Sequence, residues 1–425
     1  MPVTQYIPNL LALACVVVWY NDPISLNAYT SQPIFFLHFL YICIFYETYP
    51  MKPTQNHQPQ IFDPAAKMPS VDTASNDSTS NVNANLRHQS TVTLEGMPKV
   101  SELQKLQSDN RTARKPFQWQ FLLPQYWGIW LGVALILPLI YLPLRYQFNI
   151  GHFLGKLLFG LIKSRRADTL TNLSLAFPEL SEDQRLEMAE KIFINAGVGV
   201  FESLCAWYRP DVFTRCVTVS GLHHVKNAQS QGKAVILLGI HSTLLDLGGR
   251  LTTMFTPLDV VYRPQNNALL DWFIFNARAK VYSDQISHRD MRHFAKNLKD
   301  NHVVWITPDQ DFGLKQGVMA DFFGVPAATL TAPRRMAKLG NKANPPAVMV
   351  LHFYRETPDE MPKGRKPHYH IIFSPVIDNY PTEDELADAN RINQLLENYI
   401  RIDPTQYMWF HRRYKTQPTG IRYYR

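Results

Sequence analysis

A histidine and an aspartate separated by four residues, His241 and Asp246, have the types and spacing of a general base and the acid that orients it. They lie in the segment KAVILLGIHSTLLDLGGR, whose apolar run Ala234–Ile240 predicts a buried strand that ends at His241. A helix beginning just after this strand would carry Asp246 in its first turn. The alternative is a surface histidine beside an aspartate that caps a helix, because this spacing also occurs by chance.

From Val217 onward, apolar runs typical of buried strands alternate with helical patterns. This alternation predicts an α/β body with a mostly parallel sheet flanked by helices. The predicted strands are Ala234–Ile240, Leu258–Tyr262, His302–Thr307, Ala347–Tyr354 and Tyr369–Ile377. The predicted helices are Leu244–Phe255, Leu269–Ala279, Met291–Leu298, Pro333–Leu339 and Thr382–Ile400, preceded by a long helix from Glu182 to about Tyr208 that a capping box begins.

Several polar residues follow the predicted strands directly. Arg263 and Asn266 come after the second strand, and Asp309 and Asp311 come after the third. Because ligands of parallel sheets gather at the carboxyl ends of the strands, we expect these side chains to join His241 in one substrate site. Arg263 could instead form a structural salt bridge. The two aspartates could bind a metal or cap a turn, but further oxygen ligands at suitable spacing are absent from the sequence.

Two other segments have the composition of ligand-binding surfaces. The segment Phe322–Arg335 combines small residues with Thr329, Thr331, Arg334 and Arg335, and could cradle a phosphate or pantetheine through hydroxyl, amide and guanidinium groups. Its alternative is an exposed helix N-terminus. The tail YMWFHRRYKTQPTG is aromatic and basic, which suits nucleic acid, a lipid headgroup or an acidic partner equally well.

The N-terminal part of the chain differs in composition from the rest. Residues 1–50 contain two apolar stretches, Ile7–Tyr20 and Pro33–Tyr46, each too short to cross a bilayer, and their role stays unassigned. One interpretation is that the start codon is misplaced and that Met97 is the true start. Residues 51–115, rich in Ser, Thr, Asn, Gln and Pro, predict a disordered linker.

The segment 116–146 is almost free of formal charge, and its core WGIWLGVALILPLIYLPL has aromatic residues at both ends. This pattern predicts a single membrane-spanning helix with aromatic belts. A buried core helix and an in-plane anchor are the alternatives, because the apolar core is only marginally long enough. Lys and Arg residues that begin at Arg145 predict that the following body, 147–425, lies on the cytoplasmic side.

Charge and cysteine usage narrow the class of protein. The chain carries a net charge of +8, and because residues 1–96 hold 3 Lys and Arg against 6 Asp and Glu, the remainder is more basic still. A basic body of this kind suits binding to nucleic acid, to anionic lipid or to an acidic protein. The four cysteines show no metal-binding spacing and no disulfide framework, which fits a reducing interior. Motifs of serine hydrolases, zinc proteases, NTPases and dinucleotide-binding enzymes are absent from the sequence.

These segments carry a family resemblance. KAVILLGIHSTLLDLGGR resembles the first motif of the glycerolipid acyltransferase superfamily, which has the pattern H-x4-D/E. More narrowly, the chain resembles the late lipid A biosynthesis acyltransferases, the lauroyl and myristoyl transferases of Gram-negative bacteria, from about Gln118 to Pro418. The other blocks that carry this resemblance are NLSLAFPELSEDQR, YRPQNNALLDWF, WITPDQDFGLKQGVMADFFGVPAATLTAPRRMAKL and PTQYMWFHRRYKTQP.

The resemblance implies transfer of a fatty acyl chain from an acyl carrier protein thioester to a hydroxyl of a Kdo-bearing lipid A precursor at the bacterial inner membrane. It implies His241 as general base and Asp246 as its partner, with no cofactor and no metal. A nucleic-acid partner is disfavoured by the predicted membrane-spanning segment and by the lack of a known nucleic-acid-binding motif in the sequence. Many members carry glutamate where this chain has Asp246, and an aromatic residue where it has Ser242.

Elementary chemistry agrees with that reaction. A lipid hydroxyl is a weak nucleophile near pH 7 and needs a base, and an oxygen attack on the thioester requires no covalent acyl-enzyme. Arg250, Arg263, Arg334 and Arg335 are candidates for binding the phosphates of the acceptor. The alternatives are an acyltransferase that acts on a glycerophospholipid or another lipid, and a catalytically inactive, membrane-anchored binding protein.

Overall fold

The computed structural model describes residues 112–213, 216–356, 367–418 and 420–424. The apolar stretches of residues 1–50, the candidate start at Met97 and most of the predicted linker lie outside these ranges. The strands are β1 (Val217–Ser220), β2 (Val235–Leu238), β3 (Asp259–Tyr262), β4 (Asp284–Ser287), β5 (Val303–Ile306), β6 (Gly317–Phe322), β7 (Val325–Leu330), β8 (Ala347–Arg355) and β9 (Tyr369–Phe373). The α-helices are α1 (Trp127–Ile136), α2 (Leu144–Leu161), α3 (Lys163–Ala176), α4 (Glu182–Tyr208), α5 (Leu222–Ser230), α6 (Leu245–Thr252), α7 (Ala268–Arg278), α8 (Met291–Lys299), α9 (Ala332–Ala337) and α10 (Glu385–Ile400).

Seven strands form one sheet with the order β1-β9-β8-β2-β5-β3-β4. The strands β8, β2, β5, β3 and β4 are parallel, whereas β9 pairs antiparallel to β8 and parallel to β1. Helices cover both faces, so β2 and β5 are buried along their whole length and read as continuous apolar runs. The predicted α/β class with a mostly parallel sheet is confirmed.

The elements that the sequence pattern did not predict are short, polar or rich in small residues. The edge strand β4 begins with two buried polar residues: Asp284, which accepts from Asn297, and Gln285, whose side chain donates to the backbone carbonyl of Phe275. The start of this strand therefore lacks an apolar stripe. The hairpin β6–β7 contains most of the segment that was interpreted as a phosphate cradle or helix start. Only the last part of that segment forms a helix, α9.

Two glycines hold α6 close to the sheet. A Cβ atom at Gly248 would lie 2.3 Å from ring atoms of Phe353, and one at Gly249 would lie 2.1 Å from the hydroxyl of Tyr282. Any side chain at these positions would therefore push the helix away from the sheet. The Gly248–Gly249 pair thus fixes where the segment between β2 and α6, which carries His241, lies on the sheet edge.

The predicted continuous helix over 116–146 is wrong in its details. The structure has 3-10 turns at Trp119–Leu122 and Pro124–Tyr126, then α1, then another 3-10 turn at Leu137–Tyr141, and α2 begins only after Pro143. The ring of Pro138 lacks an N–H and interrupts the α-helical ladder. The stretch Pro124–Tyr141 is still long and apolar enough to cross a membrane, by length and composition only.

A buried histidine on β8 makes stability depend on pH. Neither ring nitrogen of His352 has a hydrogen-bond partner among the described residues, and burial lowers its pKa to about 3. The unfolded chain binds a proton there below its ordinary pKa of about 6.5, so stability falls as pH decreases from 6.5 towards 3. We expect His352→Leu to reduce the slope of the free energy of unfolding against pH by about 1.4 kcal/mol per pH unit. Urea unfolding between pH 4.5 and 7 measures the slope.

The control for this prediction is His223→Leu, because His223 is exposed on α5. This variant should leave the slope of the free energy of unfolding against pH as it is in the wild type. An unchanged slope in the His352→Leu protein would contradict the prediction.

Candidate active site

His241 lies at the carboxyl edge of the sheet and is bonded to the end of the neighbouring strand. It follows β2, and its Nδ1 is 2.7 Å from Oδ1 of Asp309, which follows β5. The backbone N–H of His241 donates to the other carboxylate oxygen of Asp309 at 2.9 Å. Both side chains are nearly excluded from solvent. This two-point contact fixes the carboxylate and therefore the orientation of the imidazole ring.

The charge state of Asp309 determines where the imidazole proton lies. Burial alone would raise the pKa of this carboxyl, but the charge that His241 carries when protonated and the hydrogen bonds from His241 outweigh burial and hold it well below its usual range. The ionised carboxylate accepts from Nδ1–H, so Nε2 carries the lone pair. The hydroxyl of Thr307 is 3.3 Å from Nε2. Nε2 is thus the nitrogen that can act as a base.

The C-terminal tail supports the backbone around His241. The backbone N–H of Met408 donates to the carbonyl of His241 at 2.9 Å, and Ser242 forms a β-bridge with Tyr407. The Tyr407 hydroxyl is 3.0 Å from Nε2 of His411, and burial lowers the pKa of His411 to about 3, so this histidine stays neutral. Sequence reasoning missed these contacts, although the tail was noted as unusually aromatic and basic.

The tail is part of the protein interior rather than an external binding surface. Trp409, Phe410 and Tyr414 are fully buried, and Arg413 is too. The guanidinium of Arg413 donates to the carbonyl of Ala328 at 2.7 Å in the hairpin. A role of these side chains in binding nucleic acid, a headgroup or an acidic partner is therefore contradicted by their burial.

Asp246 has different partners from those predicted. It lies in the first turn of α6, as expected, but Nε of Arg278 donates to one of its carboxylate oxygens at 2.8 Å and the indole N–H of Trp207 lies 3.3 Å from the same oxygen. A second guanidinium nitrogen donates to the other oxygen at 3.0 Å. The carboxylate that orients the ring of His241 at Nδ1 is Asp309, because Nδ1 offers a single hydrogen bond.

A cavity of about 290 Å³ opens in front of His241. Thr307 and three arginines, Arg263, Arg278 and Arg335, are among the residues that line it. Asn266 and His288 line it as well, and burial together with the positive charges of Arg289 and Arg263 lowers the pKa of His288. The sheet edge therefore brings together His241, Arg263 and Asn266 as predicted, within a cavity whose wall is markedly cationic.

A second cavity of about 150 Å³ adjoins the first and is mostly apolar. It lies between α1, α4, α6 and α7, and Leu245, Gln265 and Arg278 line both cavities. Asp246 lines the second one, so the Asp246–Arg278 ion pair stands at their junction. A polar reaction chamber next to an apolar slot suits a substrate with a charged end and a hydrocarbon chain.

Four of the predicted substrate-binding residues are engaged inside the fold. Asp311 accepts from the backbone N–H and hydroxyl of Thr416 at 2.6 and 2.8 Å and so anchors the tail. Because Asp309 is bonded to His241, these two aspartates have structural partners that account for them without a metal. The other three are Thr329, which accepts from Arg413 and Asn393; Thr331, which donates to the carbonyl of Gln316; and Arg334, which is ion-paired with Asp388.

Arg250 also lies outside both cavities. It is half-buried on α6, and burial lowers its pKa while the nearby Tyr282 hydroxyl opposes this effect. Arg335, which was predicted together with Arg334 to bind phosphate, does line the cavity. In this short helix, a shift of one residue changes the face of the helix on which a side chain lies.

The sequence profile of the bacterial lipid A biosynthesis acyltransferases matches residues 114–416. The chain is 35% identical to the lipid A biosynthesis lauroyltransferase of Escherichia coli K12 over 307 residues, which cover 72% of this chain and 97% of that protein. It is 32% identical to the palmitoleoyltransferase and 26% identical to the myristoyltransferase of the same organism, over 72% of this chain and 96% and 92% of those proteins. The chain therefore belongs to the late lipid A biosynthesis acyltransferase family and is an acyltransferase.

Proposed function

We propose that the protein transfers a fatty acyl chain from an acyl carrier protein thioester to a hydroxyl of a Kdo-bearing lipid A precursor. The observation that carries this proposal is the His241–Asp309 pair in a cationic cavity that adjoins an apolar one. A base, a site for phosphates and a slot for a hydrocarbon chain are the three features that this reaction needs.

In the proposed reaction, Nε2 of His241 takes the proton of the acceptor hydroxyl as its oxygen attacks the thioester carbonyl. Asp309 accepts from Nδ1–H and stabilises the imidazolium that forms. The tetrahedral oxyanion collapses, the carbon–sulfur bond breaks, and the imidazolium returns the proton to the departing thiolate. The acyl group passes directly to oxygen, so the step needs no acyl-enzyme, and its protons balance without a cofactor or metal.

Positive charge in the cavity has two roles in this proposal. Arg263 and Arg335 are exposed at the cavity and suit the phosphates of the acceptor, because guanidinium groups bind phosphate in a bidentate manner. Arg278, held by Asp246, is available to stabilise the oxyanion. Asp246 is then a positioning residue that acts through Arg278.

A basic surface near the cavity suits an acidic carrier protein. Helix α8 begins at Met291, which lines the cavity, and Arg289, Arg292, Lys296 and Lys299 are exposed in or just before this helix. Complementary charge of this kind accelerates association with an acidic partner and weakens with added salt. We propose that acyl carrier protein docks here, with the α/β body on the cytoplasmic side of the inner membrane.

The test is a reconstituted assay with purified protein, acyl carrier protein thioester and either a Kdo-bearing lipid A precursor or a glycerophospholipid as acceptor. Mass spectrometry should find the acylated lipid A precursor, and no acylated glycerophospholipid. Acylation of the glycerophospholipid alone would favour the alternative acceptor. Absence of any acyl product would favour the alternative that the chain is a catalytically inactive binding protein.

The cationic wall gives a prediction within that assay. We expect Arg335→Ala to raise KM for the phosphorylated acceptor about 10-fold to 100-fold, because a lost charge-assisted bond is worth about 1.5–3 kcal/mol. The matched control is Lys338→Ala, since Lys338 is exposed just after α9 and lies outside the cavity lining. Equal KM values for the two variants would argue against phosphate binding at Arg335.

A further inference from the structure

The apolar segment ahead of α2 is bound to the α/β body at its N-terminal end. The hydroxyl of Thr112 donates to Asp284 on β4 at 2.9 Å. The backbone N–H of Lys115 donates to the side chain of Asn276 at 2.8 Å, and its carbonyl accepts from the indole of Trp272 at 3.0 Å, both on α7. Residues 112–115, which the sequence pattern assigned to the end of a disordered linker, therefore lie against the body.

The C-terminal end of the same segment is bound to the same body. The carbonyl of Ile140 accepts from Arg209 at 2.7 Å and from Gln147 at 2.8 Å. Gln147 also lies 3.2 Å from the sulfur of Cys205 on α4. Ile140 is fully buried. Both flanks of the apolar segment are thus held by polar contacts to one folded unit.

A membrane-spanning segment cannot make both sets of contacts. The two flanks of a spanning helix are separated by a hydrocarbon core about 30 Å thick, so only one can touch a body on one side. The contacts therefore require that the segment stays on one side of the bilayer.

The outward faces of α1 and α2 are nevertheless strongly apolar. Trp127, Leu131 and Leu135 form an exposed stripe at helical spacing on α1, each about half exposed. A corresponding stripe on α2 consists of Tyr146, Phe153, Leu157 and Leu161. Thirteen of the twenty large hydrophobic side chains that are exposed in the described part of the chain lie between residues 117 and 161. Contiguous apolar surface of this kind marks an interaction site.

Two observations indicate that a lipid bilayer covers this face. Exposed cations, Arg145, Lys156 and Lys163, accompany the stripes, and such cations favour anionic headgroups. Other side chains of α1, Val133 and Ile136, line the apolar cavity that adjoins the cavity of His241. A lipid chain in the membrane would therefore be separated from the reaction site by the thickness of one helix.

We infer that the protein is monotopic: residues 117–161 lie in the plane of one leaflet, with the apolar face in the acyl chains, and do not cross the bilayer. This inference replaces the predicted single-pass topology with the in-plane alternative. It concerns attachment to the membrane and does not depend on which lipid accepts the acyl group.

Cysteine labelling in spheroplasts of a Gram-negative host tests the topology with the full chain. Cys15 and Cys43 are replaced by serine, and the buried Cys205 and Cys216 are retained. Ala113→Cys reports on the N-terminal flank, and Asn341→Cys reports on the body, since both positions are exposed. We expect a membrane-impermeant maleimide to label both proteins only after the inner membrane is permeabilised. Labelling of the Ala113→Cys protein in intact spheroplasts would overturn the inference.

Vesicle flotation tests the apolar face. Purified full-length protein is mixed with vesicles of phosphatidylethanolamine and phosphatidylglycerol, and we expect Leu131→Glu with Phe153→Glu to lower the bound fraction at least 10-fold. Leu386→Glu is the matched control, because Leu386 is a similarly exposed leucine on α10. Flotation of the double variant at the wild-type level would overturn the inference. Activity of the same proteins on detergent-dispersed substrates separates a failure of attachment from a failure of the proposed reaction.

Discussion

Replacement of His241 by alanine is expected to lower kcat about 1000-fold or more. General-base catalysis contributes about 10²–10⁴ to rate, and a lipid hydroxyl is almost fully protonated near neutral pH without such a base. The imidazole is held by Asp309 and lines the cavity, so its removal affects chemistry more than folding. Release of thiol from the acyl carrier protein thioester, in the presence of acceptor, measures the rate.

The matched control is His223→Ala, which removes an exposed histidine on α5. Its kcat should equal that of the wild type, and circular dichroism should show the same fold for both variants. A wild-type kcat in the His241→Ala protein would refute the assignment of the base. Incubation of the wild type with thioester alone should leave its intact mass unchanged, since direct transfer forms no acyl-enzyme.

Sequence periodicity was sufficient to predict the strands that are buried on both faces of the sheet. Predicted strands such as β2 and β5 are continuous apolar runs, because helices cover both sides of the sheet. The strands that were missed lie at an edge or in a hairpin. β4 carries polar residues that bond to its neighbours, and β7 contains a proline and several small residues, so neither has the hydrophobic pattern of a central strand.

The sequence was sufficient to predict which residues lie at the strand ends that form the site, but not which of their side chains bond to each other. His241 and Asp309 are 68 residues apart, and they meet because β2 lies next to β5 in the sheet order. A local spacing rule favours Asp246, which is near in sequence yet bonded to Arg278 on another helix. The partners of the C-terminal tail were equally hard to predict. Its aromatic and basic composition is compatible both with burial against His241 and with exposure to a ligand.

The second large effect is expected at Asp309. Replacement by asparagine keeps the shape but offers an amide N–H towards Nδ1, which favours the tautomer with the proton on Nε2. In that tautomer Nε2 has no lone pair for the acceptor hydroxyl, and the corresponding change in a catalytic triad lowers kcat about 10⁴-fold. We therefore expect Asp309→Asn to lower kcat about 10³-fold to 10⁴-fold, measured by the same thiol release, with KM for both substrates near the wild-type value.

Asp246→Asn is the matched comparison, because it makes the same chemical change on the other carboxylate of the predicted pair. Its direct effect is on Arg278, so we expect a loss of about 10-fold to 100-fold in kcat/KM, and its pH profile should keep the wild-type shape. The Asp309→Asn profile should change shape, because the group that sets the imidazole tautomer is altered. A loss of less than 10-fold in Asp309→Asn, together with a 1000-fold loss and an altered pH profile in Asp246→Asn, would return the orienting role to Asp246. The two outcomes differ because only one carboxylate can accept the hydrogen bond from Nδ1–H of His241.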